Sequence, residues 1–139
     1  MRITSATTTC LLSLSLIATS ACADTPSSLL AEYTAAAAKT VPGFTPSAQR
    51  GQNFFNQERN VTPRMTACAS CHGKDLTANG KHVVTGKTIA PLAPSANPKR
   101  FTNSAKVEKW FKRNCAEVVG RECTAAEKAD FIQFVLLAK

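Results

Sequence analysis

The sequence predicts an all-α domain. Four segments carry helical signals, and the stretch between the second and third of them, residues 73–103, is broken by Gly73, Gly80, Gly86, Pro91, Pro94 and Pro98 without a sustained period. The chain has 139 residues, room for one domain of ordinary size and little more, which excludes a multidomain enzyme. With 44% hydrophobic and 19% charged residues it is globular in composition, and 17 Lys and Arg against 9 Asp and Glu make it basic.

Residues 1–23 read as an export signal. Arg2 supplies the positive start, Cys10 to Ala18 the apolar stretch, and Ala21-Cys22-Ala23 a small-residue cleavage site before Asp24. An apolar run of roughly 9 residues is about half of a membrane-spanning helix. A lipid-anchored reading through Cys22 is weaker, because Thr19 stands where a large aliphatic residue is expected. The domain is then 24–139, in an oxidising compartment such as the periplasm, with four cysteines: Cys68, Cys71, Cys115 and Cys123.

The first helix is expected over 27–41, with Ser27 or Ser28 as cap, the alanines 35–38 favouring helix and Val41-Pro42-Gly43 stopping it. The second runs from Pro46 or Ser47 to about Gln57, and places Gly51 on the side of Phe55, where another backbone can approach closely. Residues 73–103 read as a long ordered loop rather than strands, and such a loop needs something to wrap around. From Ser104, Val107, Trp110, Phe111 and Asn114 share one helical face that ends near Gly120. Thr124 to Glu127 is a capping box, followed by Phe131, Ile132, Val135 and Leu136 at helical spacing.

Cys68-Ala69-Ser70-Cys71-His72 is C-x-x-C-H, the attachment sequence of c-type haem. Two cysteines three residues apart sit on one side of a helical turn, where their sulfurs can bond the two vinyl groups of one haem, and His72 becomes the proximal iron ligand. A thioredoxin-like pair expects a βαβ pattern, which is not visible, and a zinc site is poorly served by the seven residues between Cys115 and Cys123. One covalently bound haem would itself form much of the core.

The order of Gly51, Phe54 and Phe55 on a helix, C-x-x-C-H, a proline-rich loop and a C-terminal helix resembles class I cytochrome c. More narrowly, Thr85-Gly86-Lys87, Ala90 to Ser95, Arg100-Phe101-Thr102, Lys106 to Trp110, Arg113-Asn114-Cys115 and Gly120 to Thr124 resemble the sphaeroides haem protein (SHP-type) cytochromes, over nearly the whole chain after residue 23. The resemblance implies the class I fold, and partners among other exported or membrane cytochromes.

The sixth iron ligand is the open question. Ordinary class I cytochromes use a methionine from the loop after the haem motif, but this chain has only Met1, within the signal, and Met65, three residues before Cys68. His82 is one candidate, with an exposed loop histidine as its plain alternative. A lysine could ligate only after losing its proton. Asn114 is another; on spacing alone it reads as a helix-end amide capping carbonyls. In SHP-type cytochromes the asparagine before the first of two distal cysteines is the sixth ligand, which implies that role for Asn114 and a disulfide between Cys115 and Cys123.

An amide oxygen is a weak iron ligand, so oxygen, nitric oxide or carbon monoxide could displace it, and the freed amide could donate a hydrogen bond to the gas. Trp110 and Phe111 would line the pocket, although plain core packing suits at least one of them. Lys99, Arg100, Lys106, Lys109, Lys112 and Arg113, against Glu108, form a basic cluster suited to an acidic redox partner, with haem propionates as competing users. Nucleic-acid binding is not expected. Two function classes follow: an electron-transfer haem protein that binds diatomic gases, and a haem enzyme that reduces oxygen or oxidises nitric oxide. No distal acid–base pair of the peroxidase kind is visible, because His82 has no evident carboxylate partner.

Overall fold

The computed structural model describes residues 24–139; the expected export signal lies outside them. Five helices and one minimal hairpin follow in order: α1 (Pro26–Ala38), α2 (Ala48–Asn56), α3 (Ala69–His72), β1 (Gly80–Lys81), β2 (Thr88–Ile89), α4 (Ser104–Val118) and α5 (Ala125–Leu137). The all-α expectation holds. The cap of α1 is Thr25 rather than Ser27 or Ser28: Pro26 takes the first turn, where its missing N–H costs nothing, and Thr25 and Ser28 bond reciprocally. Ser47 caps α2, Asn103 caps α4, and α5 opens on the expected box of Thr124 and Glu127. After α4, Gly120 turns back at φ +78° and its N–H donates to the Cys115 carbonyl.

The loop over 73–103 does contain strands, contrary to the sequence reading. Gly80 pairs with Ile89 and Lys81 with Thr88, antiparallel. Two residues per strand are too few to leave an alternating pattern, and the turn is closed by Gly86 at φ +69°. The remainder of the loop folds inward, with Leu76, Leu92 and Ala93 buried and the Leu76 carbonyl accepting from both Leu92 and Ala93 N–H.

Helix α5 is the centre of the core. Ala129, Ile132 and Val135 are fully buried, and α1 (Leu29, Tyr33, Ala37) and α2 (Gly51, Phe55) both pack onto it. The α2–α5 crossing is backbone on backbone: a Cβ at Gly51 would stand 2.1 Å from the Asp130 carbonyl oxygen. The buried Asp130 carboxylate fixes the same crossing, accepting from Ser47 N–H at 2.7 Å and from the Arg50 guanidinium at 2.7 and 2.8 Å. Its charge is thus paired and hydrogen-bonded, the condition under which burial is tolerable.

Helix α4 is tied to α1 and α5 by one polar cluster. Tyr33 OH donates to Glu108 at 2.6 Å, and Lys128 donates to both Glu108 oxygens while lying over the rings of Tyr33 and Phe111. Burial pushes the Glu108 carboxyl up, but hydrogen bonds from Lys128 and Tyr33 outweigh it and hold the group below its ordinary value. Burial and the neighbouring carboxylate push the Tyr33 phenol far up, so it remains a donor.

Gly51→Ala gains up to about 1 kcal/mol of helix propensity in isolation, yet should cost more than about 2 kcal/mol here, because the crossing must open; denaturant unfolding of the holoprotein checks the sign. A group with a depressed folded pKa contributes stability above its unfolded value, about 4.3 for Glu, and loses it as pH falls through the folded value. Thermal unfolding scanned downward from pH 5 should therefore show a flatter acid limb in Glu108→Gln than in the parent chain.

Candidate haem site

The attachment turn is a single helical turn with firm ends. Cys71 and His72 N–H both donate to the Cys68 carbonyl, at 3.3 and 3.2 Å, and Gly73 stops the turn at φ +74°. Ser70 Oγ accepts from Ala67 N–H and pins the entry. Cys68 and Cys71 are half-buried and take part in no disulfide. Burial pushes the Cys68 thiol up, only partly offset by Arg59.

The hairpin closes over this turn. A Cβ at Gly80 would lie 2.4 Å from the Cys71 carbonyl oxygen and 2.9 Å from His72 Cα, and Val83 N–H donates to Cys71 Sγ at 3.5 Å. Sequence reasoning missed Gly80, since nothing in its neighbourhood distinguishes a close-approach glycine from a turn glycine. His82 lies in the hairpin turn, on the Cys71 side. Its Nδ1 accepts from Val84 and Thr85 N–H at 3.2 and 3.3 Å.

His72 rests on the interior. Its ring packs against Phe55 at 6.3 Å between centroids, Phe55 stacks on Phe131 at 6.0 Å, and Phe131 meets Phe111 edge-on at 5.7 Å. An aromatic row thus runs from the attachment turn through α2 and α5 to α4, one turn before Asn114. Burial, with help from Arg100 and His82, pushes the His72 imidazole down to about 4, so it is neutral with a lone pair to give near neutral pH.

On α4, Val107, Phe111, Cys115 and Val118 form the inward stripe. At 3.6 residues per turn Asn114 lies roughly 55° from its centre and Trp110 roughly 95°. Phe111 packs edge-on against Tyr33 and Phe131. Trp110, one turn before Asn114, is 43% exposed, with the Arg113 guanidinium 5.7 Å over its ring. The Asn114 amide is half-buried and hydrogen-bonds to no protein group among the described residues. Beside it, Cys115 and Cys123 are joined, with Cα atoms 5.6 Å apart and both residues buried. Met65 stays on the attachment side, its carbonyl accepting from Thr62 in a local turn.

These residues fit a haem. Two cysteines bonded to no other cysteine and a half-buried, neutral imidazole share one turn, and among the described residues no group of three or more His, Cys, Asp or Glu side chains gathers to hold a metal by protein ligands alone. A metal carried in by a macrocycle with its own nitrogen ligands suits that donor set. Cys68 and Cys71 would hold the macrocycle and His72 its iron.

Comparison with known proteins agrees. A family model described as a domain of unknown function, DUF1924, matches residues 42–135. The cytochrome c-type protein SHP of Cereibacter sphaeroides is 48% identical over 111 residues, 79% of this chain and 81% of that protein. Cytochrome c'' of Methylophilus methylotrophus is 42% identical over 110 residues, 78% and 76% of the two chains. Among solved structures, oxidised SHP, described as an oxygen-binding cytochrome c, superposes with a TM-score of 0.73 over 81% of this chain and 96% of that one, at 48% identity. Oxidised cytochrome c'' gives 0.76 over 82% and 94%, at 41% identity. With the C-x-x-C-H turn, the neutral His72 and the shared fold in place, the chain belongs to the family of SHP and cytochrome c'', monohaem c-type cytochromes with covalently bound haem.

Proposed function

We propose that this protein is an exported electron-transfer cytochrome whose iron is held by His72 on one side and by a weak, displaceable Asn114 on the other, and which binds diatomic gases when reduced. The observation that carries the reading is Asn114 itself: a half-buried amide on the inner edge of α4 without a protein hydrogen-bond partner among the described residues, in a protein similar to an oxygen-binding cytochrome.

When bound, the haem supplies a one-electron iron with room for an exchangeable ligand. The chain's own residues decide how exchangeable. The Asn114 carbonyl oxygen is a poorer donor than an imidazole, and Phe111, held between Tyr33 and Phe131, keeps water from that side. The Cys115–Cys123 bond is read as a native disulfide that fixes the end of α4; closing so short a loop contributes about 2–3 kcal/mol in the chain-entropy model.

His82 is a poor alternative. As Nδ1 accepts two backbone N–H groups, the neutral ring carries its proton on Nε2, the nitrogen it would need for iron. It also stands on the attachment side, next to Cys71. An acid–base role is likewise unsupported, since its partners are backbone amides and not a carboxylate. Cleavage after Ala23 would deliver residues 24–139 to the periplasm, where the basic surface would meet an acidic redox partner.

The test is the visible spectrum of the anaerobically reduced protein with and without carbon monoxide. A broad high-spin spectrum that shifts on carbon monoxide is expected. Asn114→Ala should raise the carbon monoxide association rate by at least about threefold, Asn114→His should give sharp low-spin bands and slow it, and His82→Ala should leave both spectrum and rate as they were. Sharp bands indifferent to carbon monoxide in the parent protein, or an Asn114→Ala spectrum identical to it, would overturn the reading.

A further inference from the structure

Tyr33, the only tyrosine of the chain, ends the aromatic row that begins at His72. From the imidazole the ring centroids step 6.3 Å to Phe55, 6.0 Å to Phe131, 5.7 Å to Phe111 and 5.8 Å to Tyr33, each within the range of rings in contact. The three phenylalanines are too hard to oxidise to hold a charge, whereas a phenol gives up an electron once its proton can leave. Tyr33 is 5% exposed, and its hydroxyl donates to Glu108 Oε1 at 2.6 Å, the length of a charge-assisted bond to an ionised carboxylate. The Glu108 side chain is 49% exposed, so a proton taken from Tyr33 has an exit to water. The Lys128 ammonium, 5.4 Å over the Tyr33 ring, opposes a positive charge there and so ties loss of the electron to loss of the proton.

We propose that Tyr33 is a redox-active tyrosine that returns an electron to the haem site after oxidation by peroxide, with Glu108 as its proton acceptor. Oxygen bound at a reduced iron yields peroxide when it is only partly reduced. Hydrogen peroxide takes two electrons from the haem site and, with two protons from solvent, becomes two molecules of water. Tyr33 replaces one of those electrons: it leaves the ring along the phenylalanine row, the O–H bond breaks, and the proton passes to Glu108 Oε1. A neutral tyrosyl radical then stands beside a neutral carboxyl group. The cytochrome's external electron donor replaces the other electron, and a further one from it, with the proton held on Glu108, restores the phenol. Trp110, the only tryptophan, lies outside the row, its ring packed on no other aromatic ring among the described residues. The proposal rests on the exchangeable iron site above, through which peroxide reaches the iron.

The ferric holoprotein is mixed with excess hydrogen peroxide, frozen after set times and read by electron paramagnetic resonance. A protein radical is expected, narrowed in protein grown on ring-deuterated tyrosine; with one tyrosine in the chain, that narrowing assigns it to Tyr33 without any substitution. Tyr33→Phe, which keeps a ring against Phe111, should lose the signal and bleach the haem at least about twofold faster, since one of two oxidising equivalents has lost its donor. Glu108→Gln should slow radical formation by at least about tenfold. Trp110→Phe should leave the signal unchanged. Variants are compared at an unchanged ferric haem spectrum.

A signal that deuterated tyrosine does not narrow, that survives Tyr33→Phe, or whose rate is untouched by Glu108→Gln would overturn the proposal. So would a protein that binds carbon monoxide when reduced yet forms no radical. A Tyr33 radical in a protein that binds no carbon monoxide upholds the proposal and overturns the exchangeable-ligand reading alone. Neither carbon monoxide binding nor a radical overturns both.

Discussion

Everything at the haem-binding end depends on two backbones touching. Gly51 lets α2 lie directly on α5 at Asp130, and only at that separation does Phe55 reach both Phe131 behind it and His72 in front. The buried Asp130 carboxylate, held by Ser47 and Arg50, holds the crossing angle and keeps α2 from sliding. The attachment turn is too short to stabilise itself, since one turn of helix fixes many dihedrals for few hydrogen bonds. It is held instead by what presses on it: Phe55 from inside and the Gly80 hairpin from outside.

The opposite side is organised differently. Helix α4 has only a narrow buried stripe, and its placement is finished by polar and covalent ties at both ends. Near its start, Asp24 accepts from Ser104 N–H and the Tyr33–Glu108–Lys128 cluster locks it to α1 and α5. At its end, Cys115 is bonded to Cys123 across the turn into α5. A helix fixed this way at both ends keeps its middle, and Asn114 with it, in position.

Much of this was legible in the residues. C-x-x-C-H announces its cofactor because covalent chemistry demands fixed spacing, and the helices of 104–118 and 125–137 follow from their apolar periods and from the Thr124 capping box. The meaning of Gly51 was also legible, since a glycine on the apolar face of a helix has few other uses. The hairpin was not, because two residues per strand leave no period, and Gly80 was not, because close approach is a property of the partner it approaches. The inhibiting feature of His82, its bonded Nδ1, depends on the turn geometry and is invisible in sequence.

Helix α1 has a consequence for where this protein begins as a physical object. The family model starts at residue 42, after α1 has ended. Yet Leu29, Tyr33 and Ala37 are buried against α5, and Tyr33 is the donor that completes the Glu108 cluster. A fragment trimmed to the recognised segment would present a bare apolar groove along α5 and leave the Glu108 carboxylate with Lys128 but without its Tyr33 donor. The unit that folds is therefore larger than the segment that the family model matches, and the helix outside that segment is part of the wall on which the distal side of the protein is hung.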